Sequence, residues 1–283
     1  MLASRVGSTS GSGSGRMRAV VVGASSGLGR VIAIGLAQRG AQVAMLARRL
    51  DVLTGAASEA GPGAHPIACD VTDATSCAAA VAEAVKVLGG IDGVVYCPGV
   101  GVLRRIEDLE LEDWHKTFDT NVAGASIFTA AVLPHLKETG GSVAYLSSIS
   151  ASFTPPWPGL AAYIVTKAAM DKLVEAWRAE HPDVGFTRIA VGDCAGGEGE
   201  AASHFMDGFD MELLGELFPT WMSKGLLAGT VFDAGELVHL VDSVLRLGAS
   251  AAIPTVTIIP RQSPAATSIS EFAETEALIN PGQ

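Results

Sequence analysis

The apolar positions of this chain fall into short dense runs that alternate with longer periodic ones. "RAVVVGA" (18–24), "QVAMLAR" (42–48), "HPIACDV" (65–71), "IDGVVYC" (91–97), "GSVAYLSS" (141–148), "GFTRIAV" (185–191) and "TVTIIP" (255–260) are brief and apolar at consecutive positions. That pattern predicts strands buried on both faces. Residues 30–40, 49–60, 73–89, about 111–136, 161–180 and 233–247 read as helices. Strict alternation of the two predicts an α/β chain with one doubly wound parallel sheet, in a single domain. One segment breaks the rhythm. Residues 193–230 are Gly- and Glu-rich first, then dense in Phe205, Met206, Phe209, Met211, Leu213, Leu214, Phe218, Trp221 and Met222. An insertion of that length between strand and helix reads as a lid over a functional cleft.

Composition narrows the picture. The 283 residues are 48% hydrophobic and 17% charged, enough to bury a substantial core. The formal charge of −11 disfavours nucleic acid and anionic membranes as main partners. Cys69, Cys77, Cys97 and Cys194 show no C-x-x-C spacing, and the six His form no H-x-x-x-H pair. Neither a disulfide framework nor a metal site is expected, and a cytoplasmic setting fits. No apolar run reaches the roughly 18 residues of a membrane span. Residues 1–16 are expected to be a flexible Gly/Ser-rich tail, 17–262 the ordered domain and 263–283 a C-terminal tail.

Candidate chemistry begins at "VVVGASSGLGR", which ends the first strand and opens the first helix. Gly23, Gly27 and Gly29, with Ser25, Ser26 and Leu28 between them, suit a turn on which a pyrophosphate lies at a helix N-terminus. The expected fold is therefore Rossmann-like. Such sites place an acid at the end of the second strand to hold the ribose 2′-hydroxyl. Here the chain reads Ala47, Arg48, Arg49. With no carboxylate to repel a 2′-phosphate and guanidinium groups to hold it, NADP(H) is expected over NAD(H), with Arg48 the main contact. Asp70, followed by Val71, either accepts from the adenine amino group or signals the start of the next helix.

"GASSGLG", "CDV", "TNVAG" (120–124), "YLSS" (145–148) and "YIVTK" (163–167) follow one another at intervals that are specific as a set. In these the chain resembles the short-chain dehydrogenase/reductase family, from about Arg18 to Pro260. The resemblance implies Tyr163 as general acid in ketone reduction and base in alcohol oxidation. It implies Lys167 as the group that lowers the phenol's pKa and holds the nicotinamide ribose. It also implies a serine that orients the substrate oxygen, and Asn121 in a proton relay through water. Asn121 is open to a second reading, as a polar residue that stabilises a helix kink. The serine is Ser148 by its place at the strand end, or Ser150 by its interval to the tyrosine. A phenol of pKa about 10 is a poor base at neutral pH, and lowering it by roughly 3 units takes about 4 kcal/mol. An ammonium at about 4 Å supplies that scale, and i, i+4 spacing on a helix brings one near.

Three places depart from the family's pattern. "YCPG" (96–99) stands where the family has Asn-Asn-Ala-Gly, so Cys97, with Gly99, alters the support of the cofactor's ribose. "VGDCAGGEGE" (191–200) replaces a Pro-Gly turn that meets the nicotinamide, and Asp193, Glu198 and Glu200 bring negative charge there. The chain reads "IIPRQ" in place of a glycine-rich closing segment. The lid aromatics, with Phe153 and Trp157, suggest an apolar wall and, as partner, a small-molecule substrate: an apolar carbonyl or secondary alcohol such as a lipid-like or cyclic ketone. By the resemblance a homodimer or homotetramer is expected. Leu173, Val174 and Trp177 are candidates for its interface, or for packing within one subunit. The alternatives are an NAD-dependent alcohol dehydrogenase and a nucleotide-binding regulatory protein with little turnover.

Overall fold

The structure, a computed structural model, describes residues 16–196 and 202–261. Seven strands form one parallel sheet: β1 (Arg18–Val22), β2 (Gln42–Ala47), β3 (Ala64–Ala68), β4 (Gly93–Tyr96), β5 (Ser142–Ser148), β6 (Gly185–Val191) and β7 (Thr255–Ile258). Their order is β3-β2-β1-β4-β5-β6-β7, so the chain reverses direction across the sheet between β1 and β4. That switch point leaves a crevice at the carboxyl ends of the central strands, where ligands bind in open α/β sheets.

The helices α1 (Gly27–Gln38), α2 (Leu50–Ala60) and α8 (Ala234–Leu245) cover one face; α3 (Ala74–Leu88), α5 (Gly124–Thr139) and α6 (Ala161–Glu180) cover the other. Each face has its own apolar core. Val21, Met45 and Ala144 point to the first, and Val20, Val94 and Tyr145 to the second. Alternate residues of the five central strands thus bury in both, which is why those strands read as apolar runs, whereas the edge strands β3 and β7 are only partly buried.

The helix expected over 111–136 is interrupted. It splits into α4 (Leu111–Phe118), a π turn at Asp119–Ala123 and α5. Asn121 lies in that turn and is fully buried. Its Oδ1 accepts from Val100 N–H at 2.9 Å, and its Nδ2 donates to Val100 C=O at 2.9 Å and Thr166 Oγ1 at 2.8 Å. The extra residue of a π turn turns this amide to clamp the loop after β4 against α6.

Val174 is fully buried, while Leu173 and Trp177 pack on the core beside it. Trp177 stacks on Phe186, ring centroids 6.1 Å apart. Packing within the subunit thus accounts for Val174, whereas Leu173 and Trp177 are half-buried and keep part of their surface open. The terminal tails expected at 1–16 and 263–283 lie outside the described residues, Arg16 apart.

Candidate active site

A cleft of about 890 Å³ runs along the carboxyl edge of the sheet, from Arg48 and Arg49 to Tyr163 and the lid. At its nucleotide end β1 passes through Gly23 into α1. Gly27 has φ +55°, a left-handed conformation that a side chain would strain. A Cβ at Gly29 would lie 2.2 Å from Gly23 C=O, so only glycine lets the turn close. Ser26 is the N-cap of α1, and its side chain makes no capping bond. First-turn N–H groups therefore remain available to an anion. Leu28 is half-buried and packs on the core.

Arg48 and Arg49 line the cleft at the end of β2, and Arg49 Nη2 lies 3.5 Å from Ser25 Oγ. Opposite them Asp70 Oδ1 accepts from Thr72 N–H at 3.0 Å and Thr72 Oγ1 at 2.7 Å. The Thr72 backbone bond, then its hydroxyl, and the charge of Arg48 hold the Asp70 carboxyl below its ordinary pKa. The helix-start reading of Asp70 is corrected: Asp73 is the N-cap of α3 and accepts from Thr75 and Ser76 N–H. Val71 lines the cleft beside Asp70. The uncapped helix start, the glycine turn and a pair of arginines with no acid between them fit a dinucleotide with an additional phosphate.

At the other end, β5 delivers Ser148 and α6 delivers Tyr163 and Lys167 to one wall. Ser148 Oγ lies 2.8 Å from Ser150 Oγ and accepts from Ser150 N–H at 3.2 Å. Ser148 lies near enough to the phenol to favour its charged form, and Ser150, bonded to Ser148, lines the same cleft. Burial pushes the Tyr163 phenol up to about 12, with the Ser148 hydroxyl acting in the opposite direction. Lys167 Nζ donates to Leu146 C=O at 2.8 Å and stands 5.8 Å from the Tyr163 ring centroid. Burial draws this lysine down to about 8. The expectation that Lys167 depresses the phenol is not met in this geometry. Phe205 packs edge-on against Tyr163, centroids 4.8 Å apart, and desolvation outweighs the Ser148 hydroxyl that acts to lower the phenol.

Cys97 and Gly99 line the cleft between the two ends. Burial pushes the Cys97 thiol up to about 12, so it is neutral near pH 7. A Cβ at Gly99 would lie 3.2 Å from Lys167 Nζ, so the glycine makes room for the lysine. Asn121 is brought near the same wall but not onto it; Thr120 lines the cleft there. Both N–H groups of its amide and its oxygen are bonded to Val100 and Thr166, the contacts that the kink-stabilising reading of this residue calls for.

The insertion is anchored at its base. Phe232 N–H donates to Asp193 C=O at 3.1 Å, Ala195 N–H to Phe232 C=O at 3.2 Å, and Ala228 N–H to the Asp193 carboxylate at 2.6 Å. Asp193 therefore lines the cleft as a tie within the lid. Burial raises its pKa against the pull of the Ala228 bond. Glu198 and Glu200 lie outside the described residues. Within the lid, α7 (Met211–Ser223) turns Leu214, Phe218 and Trp221 to the cleft. Trp221 Nε1 donates to Pro158 C=O at 3.0 Å, and its ring lies 5.5 Å from that of Trp157. Phe153 is not part of this wall. It is 53% exposed, with the Arg188 guanidinium 5.8 Å from its ring centroid.

Two residues escaped the sequence reading. Asp171 is buried one turn beyond Lys167, and Arg188 Nη1 donates to its Oδ2 at 2.9 Å. The signals were a third polar residue in the i, i+4 register of α6, and a lone charge in the apolar run of β6.

A parallel sheet in this order, a glycine turn after its first strand and a Tyr–Lys pair on the helix after the fifth define a Rossmann-like nucleotide-binding class. Within it, the family described as short chain dehydrogenase matches residues 17–201, more than half the chain, and the chain belongs to that family. It is 31% identical over 179 residues to 11-beta-hydroxysteroid dehydrogenase A of Sesamum indicum, covering 61% of this chain and 51% of that one. It is 30% identical over 176 residues to 3beta-hydroxysteroid dehydrogenase of Mediterraneibacter gnavus, covering 61% of this chain and 63% of that one. The match thus spans about half to two-thirds of these relatives. Among solved structures, an alcohol dehydrogenase from Thermococcus sibiricus complexed with 5-hydroxy-NADP superposes with a TM-score of 0.73 at 25% identity, over 88% of this chain and 98% of that one. A 3-ketoacyl-(acyl-carrier-protein) reductase from Brucella melitensis shares the fold, with a TM-score of 0.69 at 23% identity over 86% and 97%. No helix among the described residues is long and apolar enough to cross a membrane.

Proposed function

We propose that this chain is an NADP(H)-dependent oxidoreductase that interconverts an apolar ketone and a secondary alcohol. The observation that carries the reading is a single cleft with Ser148, Tyr163 and Lys167 on one wall and Arg48 and Arg49 at its far end. When bound, the nicotinamide would supply the hydride in reduction and accept it in oxidation. The chain's own residues do the rest. Tyr163 keeps its proton at neutral pH and gives it to the carbonyl oxygen as that oxygen gains charge. The Ser148 hydroxyl hydrogen-bonds and orients the same oxygen, and the Lys167 ammonium stabilises the phenolate left behind. Gly23, Ser25, Ser26, Gly27, Leu28 and Gly29 hold the pyrophosphate, Arg48 with Arg49 the 2′-phosphate, and Asp70 with Val71 the adenine. Asn121 acts at one remove, by fixing the loop at Val100.

Trp157, Phe205, Phe218 and Trp221 on the cleft wall favour a rigid, ring-bearing substrate. The hydroxysteroid names of two relatives agree with that size and polarity. A homodimer or homotetramer and a cytoplasmic setting complete the proposal; four free cysteines suit a reducing compartment. The domain is taken as 17–262 with a lid at about 193–230.

The test is NADPH consumption over a panel of cyclic apolar and small polar ketones, with NADPH and NADH affinities for the wild type and Arg48→Ala. Turnover of the apolar ketones and an about 10- to 100-fold loss of NADPH affinity in the variant are expected, the scale of a hydrogen-bonded charge contact. Preference for small polar ketones overturns the substrate assignment. Equal affinities for the two dinucleotides overturn the cofactor assignment, and binding without turnover of any ketone favours the regulatory alternative.

A further inference from the structure

Tyr163, Lys167 and Asp171 follow one another at i, i+4 steps on α6, so they rise along one face of the helix. Lys167 is 3% exposed and Asp171 5%. Two titratable side chains this deep need compensation, because burial alone drives both to their neutral forms. Arg188 supplies it from β6, where Nη1 holds Asp171 Oδ2 at 2.9 Å. The other carboxylate oxygen, Oδ1, is buried without a hydrogen-bond partner at bonding distance, as is the Ser147 hydroxyl. Ser147 lies near enough to favour the charged carboxylate without completing a bond to it. The carboxylate is thus anchored on one side only, one turn from the lysine.

We infer that Asp171, anchored by Arg188, is the positioning residue that keeps Lys167 in its ammonium form beside Tyr163. The groups that face Lys167 are few. Its own helix brings Tyr163 and Asp171, β5 brings the Leu146 carbonyl, Ser147 and Ser148, and the loop after β4 brings Cys97. Tyr163 and Cys97 are both held protonated near pH 7 by burial; burial raises the Asp171 carboxyl too, but Arg188 and Lys167 pull against it, so Asp171 is the anion among them. Its charge raises the lysine's pKa against the desolvation that lowers it, and the balance falls at about 8. Without the carboxylate that balance moves toward neutral pH, where the lysine would lose its proton. Asp171 also raises the phenol's pKa directly, so it aids proton transfer only through Lys167.

The test follows the lysine itself. In protein free of dinucleotide, with lysine side chains labelled with 13C and 15N, the Lys167 signal is assigned by its loss in Lys167→Arg and titrated by NMR. The wild-type midpoint is expected near 8. In Asp171→Asn it is expected to fall by about one pH unit, and in Arg188→Gln, which removes the group that keeps the buried carboxylate charged, to fall as well. A merely structural pair, stapling α6 to β6, would change melting temperature in both variants and leave the midpoint in place; that result overturns the inference. Each variant is read independently, so if one does not fold the other decides. The inference rests on the proposed oxidoreductase only for the use made of the ammonium. In the active enzyme the alkaline limb of ketone reduction should move with the NMR midpoint. A shifted midpoint in a protein that reduces no ketone refutes the function and not the positioning. An unshifted midpoint in an active enzyme refutes the positioning alone.

Discussion

Tyr163 lies under the lid's Phe205, and its burial prevails over the Ser148 hydroxyl that acts to lower its pKa. Its phenol, pushed up to about 12, is a loaded proton donor across the neutral range. Lys167, drawn down to about 8, is the member of the pair that changes charge near working pH. Support for the departing phenolate is therefore present below that value and lost as pH rises through it, so ketone reduction should decline above about pH 8. Tyr163→Phe keeps the ring on Phe205 and removes only the proton. Ketone reduction should fall by about 10²- to 10⁴-fold, the usual worth of a positioned acid, while NADPH affinity measured by fluorescence stays nearly unchanged. Retained turnover in this variant would remove Tyr163 from the mechanism.

Among the elements, the central strands were the most legible in the sequence, because burial on both faces makes their apolar runs continuous. The break in the 111–136 helix was legible only in the kink reading of Asn121, not in the apolar pattern. A π turn preserves the apolar pattern nearly intact, and only the bonds of Asn121 to Val100 and Thr166 reveal why it exists. Likewise, the apolar stripe of Leu173, Val174 and Trp177 marks a buried face but not which surface buries it. The Tyr163–Lys167 register was legible, whereas the cover of Phe205 over Tyr163 was not, since the two lie 42 residues apart in sequence. The lid shows the same limit at Asp193, which read as negative charge beside the nicotinamide and whose carboxylate ties down Ala228 N–H. Burial raises this carboxyl's pKa above its unfolded value, so its charge costs stability as pH rises through the folded-state pKa. Asp193→Asn keeps an acceptor for Ala228 and discards the charge. Its melting temperature should exceed the wild type's by a few degrees at pH 7, and the gain should vanish in acid, where the wild-type carboxyl is protonated. A lower melting temperature at pH 7 would show that the charge itself is used.

For the whole molecule, the net charge of −11 opposes an anionic ligand at long range, and the cleft must overcome it locally. Arg48 and Arg49 are exposed at its rim, so their attraction for a 2′-phosphate acts through solvent and is open to screening. Binding at that rim stabilises the entire sheet, because β1, β2 and α1 that carry the site also form the core beneath it. At about 100 times its dissociation constant a ligand adds about 2.7 kcal/mol to folding stability, which for a domain of this size is a rise of about 5–10 °C in melting temperature. In a thermal melt at equal dinucleotide concentrations, NADPH should therefore raise the midpoint more than NADH does. Raising the salt toward about 1 M, where screening acts over only about 3 Å, should shrink that difference by weakening the NADPH response selectively. Equal shifts for the two dinucleotides at low salt would mean that the arginines at the end of β2 face solvent and take no part in choosing the cofactor.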